Sequence, residues 1–121
     1  MSMGKKEWFV PDGFMASSKN GKLVSHEAIC VLNTGDKSAR IDFTVYFEDR
    51  EPLTGFSAEC AARRTNHIRL DAVVNNEGVQ IPRDVPYAVH ITCSEPVVIQ
   101  YSRMDVTQPE MALMTSIPYG V

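Results

Sequence analysis

The stretch AARRTNHIRL, residues 61 to 70, concentrates basic side chains in a chain whose formal net charge is −3. Its basic residues are Arg63, Arg64, His67 and Arg69. The planar guanidinium fork of arginine matches carboxylates, phosphates and vicinal hydroxyls, so this stretch is a candidate site for an anionic or hydroxylated ligand. It also fits a solvated strand face whose arginines pair with acidic neighbours such as Asp42 and Glu48. Both interpretations stay open.

If the stretch is a β-strand, alternate residues share a face. One face would then consist of Arg63, Thr65, His67 and Arg69. Its members would lie roughly 6.5 Å apart, which makes a ladder of donors rather than a cluster. The other face consists of Arg64, Asn66, Ile68 and Leu70, and it becomes apolar at Ile68 and Leu70, so it is predicted to turn toward a core at that end. One bulge would exchange the two faces, which leaves open whether Arg63 or Arg64 faces a ligand.

A second candidate site consists of Ser25, His26 and Glu27, directly before an apolar run. A histidine beside a glutamate can transfer a proton, bind a metal or join a hydrogen-bond cluster at a strand end. A zinc site needs three or four convergent ligands, and neither H-x-H nor H-E-x-x-H occurs in the chain. We therefore expect no metal site and no cofactor.

A third candidate site consists of Arg103 and Asp105 in the segment QYSRMD. Counted in steps of two, Arg103 ends an apolar stripe made of Val97, Ile99 and Tyr101. An arginine in this position is expected at the rim of the core, paired with a carboxylate. The candidate partners are Asp105, Glu110 and Glu27.

The chain lacks the sequence motifs of several large enzyme classes. G-x-S-x-G, the P-loop and G-x-G-x-x-G are all absent from it. We therefore expect a protein that is not an enzyme. The acidic net charge also disfavours a general nucleic-acid binder, which would carry a surplus of Lys and Arg.

The cysteines and the apolar runs predict a cytoplasmic protein. Cys30, Cys60 and Cys93 are odd in number and about thirty residues apart, so we expect three buried thiols in a reducing compartment. No apolar run approaches the roughly 20 residues that a membrane span needs. The first residues, MSMGKKEWFVPDG, lack the apolar segment of a signal peptide.

Short runs of β-branched and aromatic residues, separated by Pro, Gly, Asn and Asp, predict an all-β protein. EAICVLNTGD is expected to be a strand that ends in a turn at residues 33–36, and ARIDFTVYFEDREP alternates apolar and polar residues as a half-buried strand does. SAECAARRTNHIRL is predicted as a third extended run. YAVHITCSEPVVIQYSRMD is predicted as two strands joined at Ser94, Glu95 and Pro96.

The segment ALMTSIPYG could be a closing strand, or residues 111–114 could form one helical turn. With 44% apolar and 22% charged residues, the composition is that of an ordinary folded domain. Together these patterns predict a single-domain antiparallel β-sandwich over residues 1–121.

Several segments, taken in order, resemble the sensory rhodopsin transducer family. They are SHEAICVLNTGDKSARIDFTVYFEDREP, ARRTNHIRL, IPRDVPYAVHI, EPVVIQYSRMD and QPEMAL, and the likeness runs from about Trp8 to Tyr119. The resemblance implies a jelly-roll-like β-sandwich that assembles as a homotetramer in the cytoplasm. It also implies direct contact with a membrane receptor, rhodopsin-like in the best-known case.

The family's fold is also similar to that of carbohydrate-binding β-sandwiches, so the resemblance implies a sugar or other small molecule as an alternative ligand. The ligand-binding residues carried over by motif are Ser25, His26, Glu27, Arg63, Arg64, His67, Arg103 and Asp105. A ligand site of this kind would gather Arg63 or Arg64 with His67, His26 and Glu27 in one concave pocket. Trp8 would be its aromatic platform. A partner site would instead expose a flat or apolar patch.

Overall fold

Eight β-strands and no helix make up residues 3–121, the part of the chain that this computed structural model describes. The strands are β1 (Lys5–Gly13), β2 (His26–Asn33), β3 (Ala39–Phe47), β4 (Leu53–Cys60), β5 (Arg64–Arg69), β6 (Tyr87–Asp105), β7 (Ala112–Ser116) and β8 (Tyr119–Gly120). No helix in this range has the length and hydrophobicity that crossing a membrane requires. The prediction of an all-β antiparallel sandwich is confirmed.

The strands form two antiparallel layers that share β6. In the front sheet the order is β4-β3-β6-β1-β8, and in the back sheet it is β5-β2-β6-β7. The first half of β6 pairs with β1 and β3, whereas its second half pairs with β2 and β7. The alternation predicted for β3 is confirmed, because Ile41, Phe43 and Val45 are buried while Tyr46 is exposed.

The prediction of two strands joined at Ser94, Glu95 and Pro96 is wrong, because β6 is one strand of 19 residues. The backbone stays extended at these residues, and what changes there is the pairing partner. Proline can interrupt a ladder without ending the strand where the ladder is already irregular. Such an irregularity faces Pro96, since β1 has a register shift between Lys5 and Glu7, and the Ser94 hydroxyl accepts the Arg40 amide N–H at 2.8 Å.

The third predicted run, residues 57–70, is two strands rather than one. β4 ends at Cys60, and a turn at residues 61–63 precedes β5. Arg63 has φ 56°, a left-handed conformation that non-glycine residues seldom adopt. The Asn33 side chain holds this turn, because its amide donates to the carbonyls of Lys37, Cys60 and Ala61 at 2.8, 3.0 and 3.3 Å.

The two ends of the described chain lie together in the front sheet. The strand β1, which the sequence patterns did not predict, pairs with both β6 and β8. The segment ALMTSIPYG provides β7 and β8, so the closing-strand alternative is correct and the helical turn is wrong. Trp8 is 5% exposed and lies in the core beneath Gly120, so the expectation that it forms a ligand platform is wrong.

The core fills the space between the two layers with aliphatic and aromatic side chains. Cys60 and Cys93 belong to this core, and burial raises the pKa of the Cys93 thiol to about 12. Cys30 is only half-buried on the outer face of β2, so the expectation of three buried thiols is wrong for this residue. All three thiols are free.

Candidate functional site

A carboxylate, Glu27, lies at the junction of the two sheets and is only 1% exposed. It reaches this place because β2 alternates, so that Glu27, Ile29 and Val31 all point inward. The strand β2 pairs with β6 in a register that sets Glu27 directly opposite Arg103. A buried carboxylate is tolerated only when charge and hydrogen bonds compensate its lost hydration.

The two oxygens of Glu27 accept hydrogen bonds from three donors. Oε2 accepts the Arg103 Nε–H at 2.7 Å and the Phe14 backbone N–H at 3.0 Å. Oε1 accepts the hydroxyl of Tyr87, which lies in the front-sheet half of β6. Arg103 also donates to the Tyr101 hydroxyl, from Nη2 at 3.0 Å. The pairing of Arg103 with a carboxylate is thereby observed, and Glu27 is the partner among the three candidates.

The protonation of this cluster follows from its burial. Burial first, and then the nearby Glu27 carboxylate, raise the pKa of Tyr87 far above its usual value, and the pKa of Tyr101 rises for the same reasons. Burial lowers the pKa of Arg103, but hydrogen bonding to Tyr101 and the charge of Glu27 outweigh it, so its pKa is raised. Both tyrosines therefore stay neutral, with Tyr87 donating to Glu27 and Tyr101 accepting from Arg103, which stays a cation.

Ser25 and Arg83 fasten the loops around this cluster. The Ser25 hydroxyl accepts the Val106 N–H at 3.0 Å and so holds the chain where it leaves β6. Arg83 donates from Nη1 to the carbonyls of Ser25 and Ala16, at 2.8 and 3.0 Å. The sequence patterns did not single out Arg83 or Tyr87, because nothing local marks a residue whose partner lies about sixty positions away.

Arg103 is also partly open to solvent, where it lines a hollow of about 350 Å³. The hollow is lined by Arg103, Asp105, Thr107, Gln108, Ala112, Leu113 and Met114. Asp105 accepts both the N–H and the hydroxyl of Thr107, at 2.9 and 2.7 Å, and these bonds lower the pKa of its carboxyl. The hollow thus combines a guanidinium, a carboxylate and an amide, which can hydrogen-bond a hydroxylated molecule.

The remaining residues singled out from the sequence lie elsewhere. Arg64 pairs with Asn33 at the far end of β2, six residues or roughly 20 Å along the strand from Glu27. Arg63 is in the preceding turn and pairs with Asp36 at 2.9 Å, not with Asp42 or Glu48. The structure therefore does not gather these arginines with Glu27 in one pocket.

The two histidines of the predicted site point away from the Glu27 cluster. His67 lies opposite Cys30 on the exposed outer face of the back sheet. His26 is on that outer face too, near Asp71. Burial acts to raise the pKa of the Asp71 carboxyl, but Arg69 and, to a smaller extent, His26 lower it. The predicted inward face of β5 is confirmed, since Ile68 and Leu70 are buried. Residues 3–121 contain no group of three or more potential metal-binding side chains.

Within residues 3–121 every buried side-chain nitrogen or oxygen has a hydrogen-bond partner. The described residues thus form a β-sandwich with a fully paired buried ion cluster and with hollows on its outer surface. A family model described as Anabaena sensory rhodopsin transducer matches residues 3–120. The chain belongs to this sensory rhodopsin transducer family.

Two solved structures are similar to this chain over most of its length. Protein 1070 of Thermotoga maritima is 40% identical with a TM-score of 0.86, and the match covers 98% of this chain and 96% of that one. The Anabaena sensory rhodopsin transducer is 34% identical with a TM-score of 0.77, and the match covers 87% of this chain and 92% of that one. No curated protein sequence matches the chain.

A double-mutant cycle tests whether Glu27 and Arg103 stabilise the fold as a pair. We expect Glu27→Gln to lower the free energy of unfolding by about 3–5 kcal/mol, because it removes the buried counter-charge of Arg103 and leaves only the exposed Asp12 carboxylate, 3.8 Å away. Arg103→Met should also destabilise, and the double variant should lose less than the sum of the two. Urea unfolding of all four proteins gives the coupling energy.

The matched control is the surface pair Arg40–Asp42, whose side chains are 68% and 44% exposed. The variants Arg40→Met and Asp42→Asn should change stability little, because water already screens both charges. Additive effects of the Glu27 and Arg103 substitutions would contradict the pairing.

Proposed function

We propose that this chain is a non-enzymatic signalling protein that passes on the state of a membrane receptor by direct contact in the cytoplasm. The observation that carries the proposal is the family match over residues 3–120, together with 34% identity to the Anabaena sensory rhodopsin transducer. A seven-helix photoreceptor of the rhodopsin type is the receptor that this relative's name favours.

Binding to oriented membrane vesicles tests this function. Purified full-length chain should bind inside-out vesicles from its native host in a saturable manner, because these expose the cytoplasmic side of a receptor. Binding should fall to background on right-side-out vesicles and on inside-out vesicles treated with protease, which removes receptor loops and leaves the lipid. Co-sedimentation measures all three. Protease-resistant binding, or none, would contradict a protein receptor.

We propose further that the chain assembles as a homotetramer, and the edge strand β7 supports one of the contacts that such an assembly needs. In the described part of the chain β7 pairs with β6 alone, so its other edge has free backbone donors and acceptors. Apolar side chains surround this edge, and they include Leu113, which is 72% exposed, with Met111, Met114 and Ile117. An open edge among exposed apolar residues suits pairing with a second copy.

Light scattering tests the assembly at micromolar concentration. We expect four times the monomer mass for the wild type. Leu113→Glu should shift the protein to smaller species, because it would bury a charge in the contact. Val79→Glu, at another exposed apolar residue, is the control and should remain tetrameric. A wild type that stays monomeric would rule out the tetramer.

Small-molecule binding is a second candidate function, and the hollow beside Arg103 is the observation that favours it. A sugar or sugar acid could use the guanidinium, the Asp105 carboxylate and the Gln108 amide together. The contributions of Arg63, Arg64, His67 and His26 to such a site stay predictions, since these residues lie outside the hollow.

A thermal-shift screen against sugars, sugar acids and phosphates tests this candidate. A ligand at a hundred times its dissociation constant should add about 2.7 kcal/mol of stability and raise the melting temperature. Gln108→Ala should abolish the shift, while His67→Ala should keep it. The reverse result would move the site to the outer face of β5, and a screen without any shift would contradict a ligand of these classes.

A further inference from the structure

The outer face of the front sheet contains a groove that neither the family match nor the cluster at Glu27 explains. Two adjoining hollows of about 320 and 440 Å³ share Pro11, Tyr46 and Ala88. Ala88 is the floor, because it lies on the central strand β6 directly beside Tyr46 of β3. Its small methyl group, between the larger Tyr46 and Pro11, leaves a slot open along the sheet.

Aromatic rings close one end of this groove. Phe9 and His90 stack with ring centroids 4.5 Å apart and planes 4° from parallel. Tyr119 packs on Phe9 at 6.2 Å, and Glu7 holds His90 through Nε2 at 2.7 Å. These contacts fix the end wall in place. The ring of Tyr46, which is 44% exposed, forms a side wall.

Carboxylates lie at the other end of the groove. Asp12 and Glu48 line the larger hollow together with Pro86 and Tyr87. The nearest cation to Asp12 is Arg103, 3.8 Å away and already bound to Glu27 at 2.7 Å. Glu48 forms no ion pair with any residue in the range 3–121. Arg50 lies 5.4 Å over the ring of Phe47, which also lines this hollow, but it pairs with Asp49 at 2.9 Å. The charged end of the groove is therefore acidic, and Glu48 is its carboxylate without an ion-pair partner among the described residues.

An apolar slot that leads to carboxylates suits a long cationic side chain. The aliphatic part of a lysine or arginine can lie along Ala88 and the aromatic walls while its charged head reaches Glu48. The face of Tyr46 adds a cation–π contact, which is strongest for arginine. Anionic ligands would be repelled at the acidic end, so charge complementarity selects a basic partner.

We propose that this groove binds an extended, arginine- and lysine-bearing segment from the cytoplasmic side of the membrane receptor. Cytoplasmic loops of membrane proteins carry an excess of Lys and Arg, which matches the acidic end of the groove. The identity of the partner rests on the proposed transducer function, whereas the preference for a basic segment rests on the groove itself.

Fluorescence anisotropy with a labelled oligoarginine peptide, spaced by serine and glycine, tests the groove directly. The full-length wild type should bind it, and a peptide with glutamine in place of arginine should not bind. Tyr46→Ala and Glu48→Gln should each weaken binding about tenfold, the factor that corresponds to 1.4 kcal/mol. Both side chains are on the surface, so the melting temperature should change little.

The control is Glu77→Gln, which removes the same charge from an exposed residue that does not line the groove. It should bind as the wild type does. If Glu77→Gln and Glu48→Gln lost equal affinity for the peptide, the overall charge of the protein would explain the effect and the inference would be overturned. A wild type that does not bind the peptide would overturn it as well.

The same variants in the vesicle assay separate this inference from the transducer function. Tyr46→Ala and Glu48→Gln should lose vesicle binding together with peptide binding. Vesicle binding that survives in both variants would overturn the groove as the receptor site and leave the transducer function standing. Peptide binding without any vesicle binding by the wild type would overturn the transducer function, and with it the receptor as the partner.

Discussion

The buried carboxylate of Glu27 is the constraint on which the arrangement of this sandwich depends. It sits on the back sheet, accepts a hydrogen bond from Tyr87 of the front sheet, and pairs with Arg103 on the strand that both sheets share. Burying a charge costs several kcal/mol unless its partners are all present. A displacement of one layer against the other would remove one of these partners, so the cluster selects a single packing of the two layers.

The shared strand β6 connects this buried cluster to the surfaces of the protein. Its first half provides Ala88 and His90 to the outer face of the front sheet, and its second half pairs with the exposed edge strand β7. The half that pairs with β7 contains Tyr101 and Arg103, which are held by the Glu27 cluster. The surfaces that we assign to a receptor segment and to a second copy therefore belong to one continuous, rigidly packed element.

Local patterns in the sequence were enough to predict the class of fold and the pairing of Arg103 with a carboxylate. The alternation in β3 and the stripe that ends at Arg103 both reflect residues two apart, so they could be read without knowledge of the partner strands. Such patterns could not place Arg63, because its turn depends on the side chain of Asn33, some thirty residues earlier. They also could not show that Glu27 meets Tyr87, because the register between distant strands has no local signature.

The failure of the sequence patterns to predict the first strand, β1, has a similar cause. Its residues mix lysine, glutamate and proline with Trp8 and Phe9, and they form a strand because β6 and β8 lie on either side. The same tertiary origin explains why Trp8 is in the core and not on a ligand platform. The strand end predicted at Pro96 is wrong for the opposite reason. A proline does not end a strand at the point where that strand changes its pairing partner.

The position of β6 late in the chain also determines when the protein can fold during synthesis. On the ribosome, β3 can pair with β4 and β2 with β5 as soon as they emerge, but neither sheet is complete before residue 87. Until then the Glu27 carboxylate has neither tyrosine nor arginine beside it and stays hydrated. Burying that charge without its partners costs several kcal/mol, so the native packing around Glu27 requires that β6 has been translated as far as Arg103.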